Sequence, residues 1–206
     1  MIAMQEIDRV VAPLLSKLGF EKRTRGLFTI DIAEGVLGRV GLNRATQHRP
    51  PGEAEINPVI GVRHQGVERL VAELRGEKFH PYLPSTVSTP LGYLFPEARY
   101  RSWVFGRGPI EPIAREMVAA IAEYGLPFMR LTAAMPELCR RLEEGLGIEH
   151  QLAYRRPVAW LLAGNPRRAT DVLADELGQL GDRTDPAAEE LRRFGDALRM
   201  RLAQAS

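Results

Sequence analysis

Cysteine is nearly absent from this 206-residue chain, since Cys139 stands alone. That excludes an intrachain disulfide and any zinc site built from several thiolates. Cys139 falls in the helical pattern Met135, Leu138, Cys139, Leu142, which assigns it to a buried apolar position, because reactive thiols need an exposed electropositive setting. No stretch of about 18 apolar residues occurs, so no membrane-spanning helix is expected. The start, MIAMQEIDRVV, lacks a basic segment followed by a continuous apolar core, so a secretory signal is not expected and the chain reads as cytoplasmic.

Charge imbalance is also missing. The formal net charge is +2, with arginine supplying nearly all of the 28 basic residues. There are 14 basic and 11 acidic residues before Gly106, and 14 and 15 after it. An electrostatic function must therefore rest on a local cluster. Lys22, Arg23, Arg25, Arg44, Arg49, Arg63, Arg99, Arg101 and Arg107 would have to merge for nucleic-acid binding, and no recognition helix or aromatic RNA-binding motif accompanies them. Nucleic acid ranks last among the partners considered.

Catalytic and metal motifs are lacking as well. His48, His64, His80 and His150 show no helical ligand-pair spacing, and no metal or other cofactor is assigned. Gly106-Arg107-Gly108 precedes a helix, yet no Lys-Ser or Lys-Thr follows, and Pro109 and Pro112 remove two amides that an anion would need. There is no Gly-x-Ser-x-Gly elbow and no Cys-His pair in a supporting context, so no catalytic residue is named. A site of dispersed residues needs no local motif and remains open.

What is present is a globular composition, 45% hydrophobic and 26% charged, long enough to bury a core unaided. Ile110, Ile113, Ala114, Met117, Val118 and Ile121 repeat at helical spacing, predicting a helix over 110–128 that ends at Gly125 and Pro127. Upstream, the pattern predicts a helix over 5–18 bent at Pro13, a basic turn at Lys22, Arg23 and Arg25, and a strand through Phe28, Ile30 and Ile32. A hairpin at Glu34-Gly35 leads to a strand over 36–43, followed by a loop over 46–53. A strand over 55–63 contains Pro58, and a helix over 66–75 stops at Gly76. Prolines break 77–96 into short extended pieces, with an irregular strand over 85–93 and a better one over 99–105.

Beyond this point the pattern is helical. Thr132 is a cap candidate for a helix over 132–145, and a compact apolar helix covers 158–163. Asn165-Pro166 and Asp185-Pro186 are start signals for two more helices, since Asn or Asp caps and Pro suits the first turn. The hairpin at Gly164-Asn165-Pro166 is similar to those of tetratricopeptide arrays, but no repeat period follows it. The expected class is α+β: a mainly antiparallel sheet of four to five strands with helices in residues 1–108, then a helical part in 109–206, packed as one globule.

If Phe28, Ile30, Val40, Ile60, Val62 and Val104 face the helices, alternation puts Thr29, Asp31, Leu37, Arg39, Asn57, Arg101 and Trp103 on the opposite face. Tryptophan and arginine among polar residues suit a protein-contact surface, and Asp31, Arg39, Arg101 and Trp103 are its candidate binding residues. The competing placement has the C-terminal helices covering this face, with Trp103 in the core.

Leu14-Leu15-x-x-Leu18-Gly19-Phe20, a basic turn and Phe28, then Ile60-Gly61-Val62, and Tyr124-Gly125-Leu126-Pro127-Phe128 resemble bacterial proteins of the domain of unknown function 4304 type. The resemblance covers much of the first two thirds of the chain. It implies a small α+β bacterial domain with no established reaction, and the matched residues are helix ends, turns and core positions. By analogy, the chain is similar to small proteins of toxin and conflict systems whose immunity members bind and block a partner. The leading expectation is a non-catalytic module that binds another protein. The alternative is an enzyme or small-molecule binder with a pocket between the sheet and the 110–128 helix, using some of Asp31, Arg39, His64 and Arg101.

Overall fold

A computed structural model describes residues 4–45, 52–106 and 108–204. Most of the expected 46–53 loop, His48 and Arg49 within it, and Arg107 lie outside the described residues. The fold is α+β, with an antiparallel sheet and an all-helical C-terminal part. Its elements run α1 (Met4–Ser16), β1 (Glu21–Thr24), β2 (Leu27–Ala33), β3 (Val36–Ala45), β4 (Ala54–His64), α2 (Gln65–Arg75), β5 (Val87–Pro90) and β6 (Trp103–Phe105). Then follow α3 (Ile110–Ala120), α4 (Leu126–Thr132), α5 (Met135–Glu143), α6 (Glu149–Leu162), α7 (Pro166–Gly178) and α8 (Pro186–Gln204). Among the described residues no helix is long and apolar enough to cross a membrane.

Contacts divide the chain into two compact units. The first is Met1–Val62 with Ser88–Leu131, and the second is Arg63–Val87 with Thr132–Ser206. The division therefore does not run at residue 108. The 110–128 segment belongs with the strands, and α2 belongs with the C-terminal helices.

In the first unit the strands are ordered β1-β2-β3-β4-β5, with β6 pairing β4. The β2–β3 hairpin turns at Gly35, whose φ of +67° suits glycine. Alternation sets its faces. Phe28 opposite Val40 and Ile30 opposite Gly38 form one side, while Thr29 opposite Arg39 and Asp31 opposite Leu37 form the other. The first side meets α4, since a Cβ added at Gly38 would lie 2.6 Å from Met129 Sδ. Only a glycine there lets helix and strand approach so closely. Of the residues expected as a basic turn, Lys22 and Arg23 lie in β1, where Lys22 pairs with buried Asp8 of α1 at 2.8 Å, and Arg25 lies in the turn that follows.

The helix expected to stop at Gly125 continues. After α3 comes a π turn, Ile121–Gly125, and then α4 without a break. Pro127 has no N–H, and in a regular helix its ring meets the carbonyl four residues back, which a widened turn relieves. Gly125 keeps the helical path and lets the helix approach the sheet, since Ile60 Cδ1 would lie only 3.2 Å from an added Cβ. The strand expected over 99–105 shrinks to three residues, and only Val87–Pro90 of the 85–93 piece is strand, followed by a 3-10 turn at Leu91–Leu94.

The second unit is helical and built around α6, against which α2, α5, α7 and α8 all pack. Asn165 Oδ1 accepts the Arg168 N–H at 3.0 Å and Asp185 Oδ1 accepts the Ala188 N–H at 3.2 Å, so both Asx-Pro start signals operate. Thr132 does not cap a helix. It ends α4 fully buried, and α5 starts from Ala134 with Pro136 in its first turn. Cys139 is buried, and desolvation pushes its thiol up to about 11. Leu138, Leu142, Val158, Ala169, Phe194 and Leu198 are each at most 1% exposed, and the larger of these side chains stabilise the fold by roughly 1.5–3 kcal/mol apiece.

Candidate functional site

The four sequence-selected residues do not share one surface. β6 pairs β4 with Ile56 opposite Trp103 and Glu55 opposite Val104. Alternation along β4 then puts Trp103 on the side of Ile60, which meets the π turn. Trp103 is 3% exposed and its indole N–H donates to Glu116 Oε1 of α3 at 3.1 Å. The expectation that Trp103 faces away from the helices is thus corrected. A register difference of one residue reverses every face, and the pairing of β6 cannot be read without its partner strand.

Arg39 and Asp31 lie on the opposite side of the sheet from Trp103. Arg39 is half-buried across from Thr29, and Asp31 is exposed across from Leu37. Thr29 is fully buried, and its hydroxyl accepts from Arg23 Nε at 2.7 Å. Where the alternative pocket was expected, under α3, Trp103, Ala114 and Met117 are buried side chains. His64 belongs to the second unit, and burial lowers its pKa below the ordinary imidazole value, with nearby Glu68 pulling the other way.

Arg101 and Trp103 do come together, in company the sequence pattern did not single out. The Arg101 guanidinium lies 4.5 Å from the Phe95 ring centroid and 5.5 Å from that of Trp103, and it pairs with Glu116 at 3.2 Å. Phe95 in turn stacks on Tyr124 of the π turn, with centroids 4.1 Å apart. In the same segment of chain Tyr93 is 50% exposed and Tyr100 is 54% exposed. The Tyr100 hydroxyl donates to Glu55 Oε1 at 3.1 Å, and the Ser102 hydroxyl donates to the same oxygen. Glu55 is 2% exposed, so these donors satisfy a carboxylate withdrawn from water.

The backbone holds this surface in place. A Cβ on Gly92 would fall 2.7 Å from Arg101 N, so glycine is what allows 99–101 to pass against the 3-10 turn. Ala98 adopts φ of +44°, a left-handed conformation an alanine rarely takes, and its N–H closes a turn onto Phe95 O at 2.9 Å. Prolines and short pieces hid this segment, because its order comes from close approach and stacking without a repeating pattern.

The second unit holds a different arrangement. Arg63, near the end of β4, and Arg155, in α6, are each 1% exposed and share the carboxylate of Glu68 in α2. Arg155 Nε lies 2.8 Å from Glu68 Oε1, and Arg155 Nη2 donates to Oε2 at 3.1 Å. Arg63 Nη1 approaches Oε2 at 3.4 Å. Arg63 also donates to the carbonyls of His80, Pro81 at 3.2 Å and Pro84 at 2.5 Å, and to Gln65 Oε1 at 3.1 Å. Those contacts pin the 80–84 loop. Desolvation lowers both arginine pKa values, opposed by Glu68. No histidine, cysteine and carboxylate cluster suited to a metal occurs among the described residues.

In comparison with known proteins, no family model, curated protein or solved structure matches the chain.

Proposed function

We propose that this protein is a non-catalytic module that binds another protein through the surface made by residues 91–101 and Tyr124. The observation that carries this is that one short segment holds both the Arg101–Phe95 contact, continued by the Phe95–Tyr124 stack, and two tyrosines, Tyr93 and Tyr100, that are about half exposed. Tyrosine and arginine dominate binding hot spots, because each offers a large contact area together with polar groups that orient a partner. The stack, the Tyr100–Glu55 hydrogen bond and the close approach at Gly92 fix these side chains in advance, so little ordering entropy is lost on association. The surface keeps Arg101 from the sequence expectation and replaces Arg39, Asp31 and buried Trp103 with Tyr93, Phe95, Tyr100 and Tyr124.

The immunity-like analogy fits a protein of this kind, one that acts by occupying a partner. Purification of the tagged chain from its native host should bring down one protein in near-stoichiometric amount. A Tyr93→Ala/Tyr100→Ala variant should hold that protein about tenfold or more weakly. A chain that purifies alone, or a partner retained equally by the variant, would overturn the proposal.

A further inference from the structure

We infer that the second unit carries a binding site for a monoanionic carboxylate, at the cavity floored by Arg63 and Arg155. This site is separate from the 91–101 surface. The cavity has a volume of about 80 Å³, several times the space one water requires, so a polyatomic anion fits. Its lining includes Arg63, Arg155, Glu68, Lys78, Gln151 and Tyr154.

Charge at the floor is unbalanced. Two guanidiniums, each 1% exposed, share the single carboxylate of Glu68, which leaves one positive charge withdrawn from water. Arg75 at the wall is already paired with Glu77 at 2.9 Å and with Glu190. Lys78, exposed at the rim, adds a cation near the entrance.

Hydrogen-bonding capacity is unfilled too. A guanidinium has five N–H donors, and Arg155 is bonded to Glu68 Oε2 and, at 3.4 Å, to the Thr86 carbonyl. Its Nε faces Glu68 Oε1 at 2.8 Å, so Glu68 takes the Nε–Nη2 edge and the donors to spare are the second N–H groups of Nη1 and Nη2. A buried cation with donors to spare is costly, and a ligand oxygen aligned with its fork would relieve that cost.

The same arithmetic selects the ligand. One negative charge neutralises the buried floor, whereas the second charge of a phosphate dianion would be met only by Lys78, which is exposed at the rim and screened by solvent. A planar carboxylate suits the remaining Nη1–Nη2 edge of Arg155, the other edge being taken by Glu68. Gln151 and Tyr154 beside the floor give the rest of the molecule a mixed polar and aromatic wall.

The test is a titration of the full chain with sodium acetate, following the arginine side-chain Nε–H resonances at constant ionic strength, with inorganic phosphate and sodium chloride as separate arms. Acetate should shift the Arg155 and Arg63 signals saturably, phosphate should do so more weakly, and chloride should leave them in place. Lys78→Ala, an exposed change, should weaken acetate by about threefold while leaving the folded spectrum intact. Equal responses to acetate and chloride, or shifts that never saturate, would overturn the site. Tighter binding of phosphate than of acetate would overturn the carboxylate assignment.

Discussion

In the first unit Arg101 remains exposed, its guanidinium laid over Phe95 and paired with Glu116. In the second, Arg63 and Arg155 are withdrawn from water and share Glu68. Near solvent, an ion pair and a cation–π contact each contribute about 1 kcal/mol or less, so Arg101 costs little to hold and stays available to a partner. In the interior the desolvation penalty is large, and removing one partner of a buried pair is far more damaging than the net worth of the pair. Loss of a charged partner should therefore show mainly as weaker binding in the first region and as lost stability in the second.

The largest effect tests the composition of the second unit. A fragment of residues 109–206, the helical part as the sequence divides it, lacks α2 and Glu68, so Arg155 loses its counter-charge and α6 loses a packing surface. It should fail to unfold cooperatively, as judged by circular dichroism on heating. A sharp transition in the isolated fragment would remove the contrast. Next in size, Glu68→Ala should cost about 3–5 kcal/mol in urea unfolding, because it leaves two buried guanidiniums unpaired. Arg101→Ala should cost about 1 kcal/mol or less. A Glu68→Ala cost no greater than that of Arg101→Ala would break the comparison.

Ala98→Gly should raise stability by about 1 kcal/mol, since glycine tolerates the φ of +44° that strains alanine. Denaturant midpoints measure this directly. The smallest effect concerns pH. Burial lowers the His64 pKa in the folded chain, so the unfolded chain takes up this proton first as pH falls. The stability linked to neutral His64 is complete above the unfolded value of about 6.5 and declines as pH drops toward the lowered folded value. Between about pH 7 and pH 5 the wild type should lose more stability than His64→Gln.

The helices were legible where local rules govern them. Asn165-Pro166, Asp185-Pro186 and Gly76 mark boundaries that the structure keeps. The α+β class followed from the change in periodicity near residue 108. The rest depended on distant partners. Periodicity recovered only 158–163 of α6, because Arg155, Arg156 and Pro157 interrupt its apolar pattern, and Arg155 is a core residue only by virtue of Glu68, 87 positions away. Trp103 was placed on the wrong face because the register of β6 against β4 is a non-local fact. Of the candidate surface, Arg101 was identified, but Phe95 and Tyr93 lie in a segment with no period to single them out, and Tyr124 was read only as part of a helix end.

The most direct measurement is amide hydrogen exchange of the full chain with and without the partner captured from its host. The proposed function predicts new protection in residues 91–101 and around Tyr124, with residues 63–87 unchanged. Unaltered exchange across 91–101, with protection appearing elsewhere, would contradict it.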